Sequence, residues 1–581
     1  MKKYVKMHWF EAVVAFLLTL VACIGISVVF GYCFRSNDDA MLRNIVSGNY
    51  TGMPDAHLIY VMYPLGLLWK GLYTVFPAIA WYDLFMVGMH YLCWYMILFR
   101  LGQQFVTKRG KSLSVILGLV ALVIIDLPYV VMHQYTILSA LLAVVAIFWL
   151  ATSKNKSGKE YWFDRVICII FLTLCLWLRK QVFFMALPIG FFILVLEFLA
   201  VKKDKVKATI RRAAVFLGCV LLIGVISFAI EKIAYSSPEW QDFNVYNEAR
   251  TDIYDFYGVP SYQGYEEQYE QLDISYGDWL VIDHYDGGLM PELDSEMLLS
   301  VAALSKQNFD AIRETYSVLL QTLYSVCQVV LYNDIQPIGI LLTVLYVVSL
   351  WICYKKDEKG TAACICGMLI FQAVFVGYFI GQQRFPEHVS YGLYLMQFFF
   401  LAAILLTTKV TEKEKMSKRR FWTCLLLLLC IGLMGGLGIY RMRTTLTDYQ
   451  QMVVKADDWN YVNEYFEEHN NATYCIVTKS FVFSTEKMFE TSFVENSNVV
   501  RLGSWVQNSP LESMHNQNAG VKNLSEQIIS EEGFYIVQLA ENDTEWISTF
   551  MRDNGSGEVS VEVADVLQTP GGMVFHVLSM Q

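Results

Sequence analysis

At 581 residues, 55% apolar and only 17% charged, the chain carries its apolar residues in blocks about long enough to cross a hydrocarbon core of ~30 Å as helices, which excludes a soluble protein. The net charge of -10 gives no basic footprint, and no nucleic-acid partner is expected. The 13 cysteines fall mainly inside the apolar blocks, among them Cys23, Cys168, Cys175, Cys219, Cys364, Cys366, Cys424 and Cys430, and a disulfide framework is excluded in the same way.

Lys2, Lys3 and Lys6 precede the first apolar run in the manner of a signal sequence, and Leu20-Val21-Ala22-Cys23 fits a lipoprotein cleavage box. The run continues through Ile24 to Phe30, so the segment is expected to stay as an anchor. Further spans are predicted at 81 to 99, 113 to 131, 134 to 151, 166 to 178, 183 to 200, 213 to 234, 338 to 354, 361 to 381, 391 to 408 and 421 to 440, giving 11 with the first at 9 to 30. The loops 100 to 112, 152 to 165, 201 to 212, 355 to 360 and 409 to 420, with the N-terminus, hold 26 of the 44 Lys and Arg residues. The positive-inside bias places them in the cytoplasm, with the N-terminus inside and the C-terminus outside. That assignment requires His57 to Phe76 not to cross, and an interfacial helix is expected there, anchored by Trp69, Lys70 and Tyr73. Residues 309 to 332 read the same way.

The expected architecture is an α-helical polytopic membrane protein, with a transmembrane domain over 1 to 440 and outer loops at 31 to 80 and 235 to 337. A C-terminal extracytoplasmic α/β domain follows over 441 to 581, with strand-like runs at 474 to 477, 534 to 539, 559 to 566 and 572 to 578. No internal repeat is evident, which weakens a transporter reading.

Directly after the first span comes Phe34-Arg35-Ser36-Asn37-Asp38-Asp39. An ionised carboxylate held at the end of a membrane helix is suited to act as general base on a lipid-borne substrate, although charged residues also mark ordinary helix ends. Arg179 and Lys180 lie in a tight outer turn, and Arg384 lies in another with His388 close behind. Cations on this side run against the topological bias and call for an anionic partner. A lipid phosphate suits the guanidinium fork, and an ion pair such as Arg384 with Glu387 would also neutralise it. The loop from Tyr235 to Ser300 carries many acids against one cation, Arg250, and reads either as an acceptor site lined by Tyr and carboxylates or as a solvated cover. A divalent metal is compatible with this loop, but no ligand spacing specifies one. His90 is expected to bond a neighbouring helix, and Asp126 is expected in the cavity wall.

The segment NDDAMLRNIVSGNYTGMPDAHLIYVMYPLG resembles the first extracytoplasmic loop of the GT-C superfamily, polytopic glycosyltransferases that use polyprenyl-phosphate sugars. The resemblance implies that Asp38 or Asp39 is the catalytic base and that a polyprenyl-phosphate sugar is the donor. It further implies transfer with inversion to an extracytoplasmic glycan or protein. Arg179, Lys180, Arg384, His388 and Arg250 are the candidate substrate-binding residues, and membrane lipids surround the site. The alternatives are a transporter or flippase of a lipid-linked glycan, which needs the cations and no base, and a glycan polymerase or ligase. The sequons Asn49-Tyr50-Thr51 and Asn471-Ala472-Thr473 match by chance frequency, and a bacterial cell membrane is the expected location. Walker, HExxH and GxSxG signatures are missing, so nucleotide hydrolysis, zinc proteolysis and serine hydrolysis have no support.

Overall fold

The computed structural model of the protein describes residues 2–153, 158–201, 205–313, 316–382, 384–407, 419–481, 484–490 and 498–581. Helix α1 (Lys2–Val29) is followed by two short helices, α2 (Asn37–Ser47) and α3 (Tyr63–Val75). Then come α4 (Trp81–Gln103), α5 (Lys108–Val131), α6 (Tyr135–Thr152), α7 (Gly158–Leu178), α8 (Lys180–Leu199) and α9 (Val206–Ala234). A second short set, α10 (Pro238–Thr251), α11 (Glu266–Gln271), α12 (Tyr276–His284), α13 (Ser295–Arg313) and α14 (Tyr316–Ile335), leads into α15 (Pro337–Lys356), α16 (Lys359–Gly381) and α17 (Glu387–Thr407). The 50-residue α18 (Arg419–Glu468) closes the helical part.

Among the described residues ten helices, α1, α4 to α9 and α15 to α17, are long and apolar enough to cross a membrane, and they coincide with the first ten predicted spans. The eleventh predicted span falls within α18, where the side chains of 419–434 lie outside the described residues. So do the predicted basic-loop residues 154–157, 202–204 and 409–418. Between His57 and Phe76 the chain forms only the 13-residue α3, too short at 1.5 Å per residue to cross.

Helix α6 is apolar all round and buried along its entire length, which makes it the axis of the bundle. One face of the bundle is held by buried ion pairs at the helix ends. Lys111 pairs with Glu11, Arg100 Nη2 meets Asp164 Oδ2 at 2.8 Å, and Arg165 Nη2 meets Glu197 Oε2 at 2.5 Å. From these same ends the basic loops depart. Toward the other end of α5, Asp126 accepts hydrogen bonds from Trp94 Nε1 (2.7 Å) and Tyr391 OH (3.0 Å) and meets His90 Nε2 at 2.8 Å. His90 thus bonds a neighbouring helix as expected, whereas Asp126 is not in the cavity wall. Its carboxylate is consumed in joining α4, α5 and α17.

At the opposite face, which carries the C-terminal domain, β1 (Cys33–Phe34) and β2 (Met132–His133) pair in parallel where α1 and α5 end. Residues 485–488 of the domain run beside β1 as a strap. Cys33 bridges Lys487 antiparallel, Met488 N donates to Tyr32 O (3.0 Å), and Thr485 Oγ1 donates to Phe34 O (2.8 Å). Helix α18 leaves the bundle without a break at residue 440, pinned where Arg441 donates to Gln336 Oε1 (2.8 Å) and to the Ile124 and Ile125 carbonyls (3.2 Å each).

The domain itself is a five-stranded sheet, in spatial order β4 (Val499–Arg501), β3 (Thr473–Ile476), β5 (Phe534–Leu539), β7 (Val574–Met580), β6 (Val561–Gln568). The first three are parallel, and β5, β7 and β6 are antiparallel. The period-two alternation of strands divides the sheet's two faces between two cores. Tyr474, Ile476, Val537 and Phe575 pack with Trp459, Val462 and Phe466 of α18. Cys475, Val477, Ile536 and Leu578 pack with Tyr246, Ile253, Val281 and Leu298 of the second short helical set. The long connection after α9 is therefore one of the sheet's covering layers.

Substituting Asp126→Ala leaves the partners on α4 and α17 without their acceptor, at about 1–3 kcal/mol for each buried group stranded. A clear drop in the thermal unfolding midpoint of the detergent-purified protein is expected, and an unchanged midpoint would show that this network does not hold the bundle.

Candidate active site at the domain face

The strap, β1 and β2 fix the start of α2, and consecutive residues on a helix point about 100° apart. Asp38 and Asp39 therefore separate. Asp39 is fully buried and accepts from Tyr82 OH (2.8 Å), Tyr135 N (3.1 Å) and Ser36 Oγ (3.2 Å). Burial pushes its carboxyl up to about 8, against the pull of those bonds. Asp38 instead lines a cavity of about 390 Å³. Burial raises its carboxyl above the ordinary carboxylate range, opposed by the charges of Arg179 and Arg250 and by the Trp505 indole beside it.

Four layers bound this cavity: α2, the domain-face ends of the spans, the connection after α9, and the sheet domain. Arg179 is the single extended residue between α7 and α8, with φ -155° and ψ 99°. Its guanidinium lies 5.2 Å from the ring centres of both Tyr60 and Tyr135, and Nη1 is buried without a hydrogen-bond partner. Arg384 Nη1 sits 3.1 Å from Asp255 Oδ2, with its guanidinium over the Phe256 ring. Glu387, the partner weighed for Arg384 from sequence, instead holds Arg35 at 2.9 Å. Arg250 is 4% exposed and bonds to neutral groups: Asn247 Oδ1, Thr251 Oγ1, Tyr285 OH and Tyr60 OH, at 2.9, 2.9, 3.1 and 3.3 Å. His388 completes the wall on this side. Lys180 is not on the wall of this cavity; it lines the adjoining compartment that Arg179, Arg384 and His388 also reach, and a further cleft beyond it.

Asp255 and Tyr285 come from the loop read as a possible acceptor site lined by Tyr and carboxylates, whereas the sequence offered no signal for Tyr60, Gln134, Arg501 and Trp505 on the remaining wall. Gln134 Oε1 and Asn44 Oδ1 are buried at the cavity without hydrogen-bond partners, which leaves room for a polar ligand's donors. Backbone strain collects at the same place. Ile59 (φ 61°), next to Tyr60, and Tyr285 (φ 64°) both occupy the left-handed region, which is unfavourable for such side chains and is held only where surrounding structure imposes it. Facing Tyr285 is Gly503, where any Cβ would overlap the Tyr285 carbonyl.

The cavity continues into a second compartment of about 710 Å³ that shares Tyr60, Thr136, Arg179, Asp255, Arg384 and His388. Away from the arginines its wall includes Val182 and Met185 of α8, Phe375 and Phe379 of α16, and Val389 of α17. The opposite wall, from α10 and the residues after it, is polar and carries Asn244, Asn247, Glu248 and Asp252, so a polar chamber meets one that is apolar on its membrane-helix side alone, and arginines stand at the junction.

No protein-family model, no curated protein and no solved structure matches this chain. Among the described residues no group of three or more His, Cys, Asp or Glu side chains is placed to hold a metal ion.

Gly503→Ala is expected to loosen the sheet domain from the connection after α9, at about 1–3 kcal/mol for a side chain forced into a packed contact. Faster limited proteolysis of the folded protein at the 502–505 turn would report it. Wild-type cleavage rates would show that the close approach to Tyr285 is not required.

Proposed function

We propose that the protein is a membrane glycosyltransferase that moves a sugar from a polyprenyl-phosphate donor to an acceptor hydroxyl, with inversion. The observation that carries this reading is the junction itself: Asp38, Arg179, Arg384 and His388 share one polar cavity, which opens on a compartment whose membrane-side wall, from α8, α16 and α17, is apolar. An amphipathic donor fits that shape, with its isoprenoid in the apolar part, its phosphate among the arginines and its sugar toward Asp38. The resemblance of the loop after the first span to the GT-C superfamily agrees with it. The positive-inside rule then assigns the basic face to the cytoplasm and the domain face to the outside.

The chemistry follows from the parts. Asp38 takes the proton of the acceptor hydroxyl, the acceptor oxygen attacks the anomeric carbon, and the bond from that carbon to the phosphate oxygen breaks. The electron pair leaves on the phosphate, where Arg179 and Arg384 meet the growing charge with fork geometry suited to its oxygens. Asp39 is a positioning residue on this scheme, since its carboxylate is already bonded to three donors that fix α2.

Asp38→Asn is expected to lower sugar transfer by about 10²–10⁴-fold, the range for loss of a general base. Wild-type rates in a folded Asp38→Asn protein would assign the cavity to lipid-linked glycan transport instead, which needs phosphate-binding cations and no base. The pH profile gives a second check. Only ionised Asp38 can act as base, and burial raises its pKa. Transfer should therefore be lost, as pH falls, at a value above the ~3.9 of an unperturbed aspartate. An acid limb at or below that value would show that Asp38 does not set it.

A further inference from the structure

Lys180 follows Arg179 directly and lines the second compartment with it. It also lines a third space, a cleft of about 1010 Å³ bounded by Phe228, Lys232, Ile233, Tyr235, Asn244 and Asn247. The cleft opens where α9, otherwise one of the most exposed helices of the bundle, reaches the domain face. Its floor is apolar and comes from the membrane helix. Its rim is polar and comes from α10. Lys180 and Lys232 are both exposed, and the one carboxylate on the lining, Glu231, already accepts from Tyr63 N at 2.6 Å. Two cations against one acid give the lining a net positive charge at the level where a bilayer carries its headgroups.

The cleft is continuous with the junction. Ile59, Lys180, Asn244 and Asn247 line both it and the second compartment, which in turn shares Arg179 and Arg384 with the polar cavity. Two pairs of chain neighbours, Ile59 with Tyr60 and Lys180 with Arg179, therefore step from one space to the next. Asn247 also accepts from Arg250 Nε at 2.9 Å, so the rim of the cleft touches the cavity's own hydrogen-bond network.

We infer that this cleft is a second anion site, at which the phosphate headgroup of a membrane lipid docks on Lys180 and Lys232 before it passes along the groove to Arg179 and Arg384. The groove wall also carries Glu248, Asp252 and Asp255, of which Asp255 already pairs with Arg384, and cationic residues spaced along the path keep a phosphate paired as it passes them. Lysine suits the outer position, since its compact, well-hydrated charge binds and releases a headgroup easily, and the arginine fork suits the inner one, where oxygens must be held in a fixed orientation. The inference rests on the transferase reading only for the use made of the inner position.

The test uses the full-length protein in phosphatidylcholine nanodiscs titrated with farnesyl phosphate, with occupancy counted by native mass spectrometry. Wild type is expected to bind two molecules. Lys180→Ala/Lys232→Ala, which alters only exposed side chains, should weaken one of them by about tenfold or more, the loss expected for a charge-assisted contact. Lys180→Arg/Lys232→Arg should retain both. Two undiminished sites in the lysine-to-alanine protein would overturn the inference. Loss of one site in Arg179→Ala/Arg384→Ala but none in the lysine variant would also overturn it, while leaving the transferase reading in place. Loss in the lysine variant and none in the arginine variant would support the cleft and remove the phosphate assignment from the junction. Lysine-dependent binding of inorganic phosphate equal to that of farnesyl phosphate would overturn the claim that the ligand is a lipid.

Discussion

Taking a guanidinium out of water costs several kcal/mol unless its charge is met, and the cavity at the domain face is walled by four of them: Arg179, Arg250, Arg384 and Arg501. The carboxylates on the same wall are Asp38, Asp255 and Glu486. Glu486 is already committed to the buried Arg43, and Asp255 to Arg384. The aromatic and hydroxyl partners of Arg179 and Arg250 supply dipoles and ring faces rather than negative charge. Asp38 is left to face Arg179 and Arg250, and the fold around the cavity works to keep these charges in place.

Much of that work is done by covering layers from distant parts of the chain. The strap at 485–488 is annealed to β1, which starts α2, which presents Asp38. The connection after α9 packs on one face of the domain sheet and carries Arg250, Asp255 and Tyr285 to the cavity. The sheet domain returns the contact through Gly503, whose missing side chain lets the 502–505 turn approach the strained Tyr285 backbone. Strain at Ile59 and Tyr285, on either side of the Arg250 hydroxyl contacts, is what a site held by several layers at once can sustain and a free loop cannot.

The spans were legible because hydrocarbon enforces one rule, that about twenty consecutive residues stay apolar, and because charge clusters end them. Some strands were legible for a related reason. Phe534 to Leu539 is a short aromatic and β-branched run, while the three-residue β4 is too short to show a pattern, and the helices α19 (Pro510–Asn518) and α20 (Leu524–Ser530) lie in polar sequence without a broad apolar stripe. The predicted partner of Arg384 shows the limit of local reading. Glu387 is three residues away in sequence, but Arg384 reaches Asp255, and Glu387 reaches Arg35 far back in the chain. Ion pairs among loops are set by which layers meet, and spacing along the sequence does not record that.

By itself the sequence determined that this is a helical multi-pass chain, where its apolar spans begin and end, and which few charged residues stand against the topological bias. These follow from transfer free energies of single residues and short runs, which are additive along a chain. The tertiary structure alone decided that Asp38 turns to the cavity while Asp39 is consumed by three donors. It also decided that of Arg179 and Lys180, adjacent in sequence, Arg179 alone reaches the polar cavity, and that a connection read as a loop is one layer of the domain. Those outcomes depend on the direction of side chains and on contacts between segments hundreds of residues apart, and no sum over local preferences contains them.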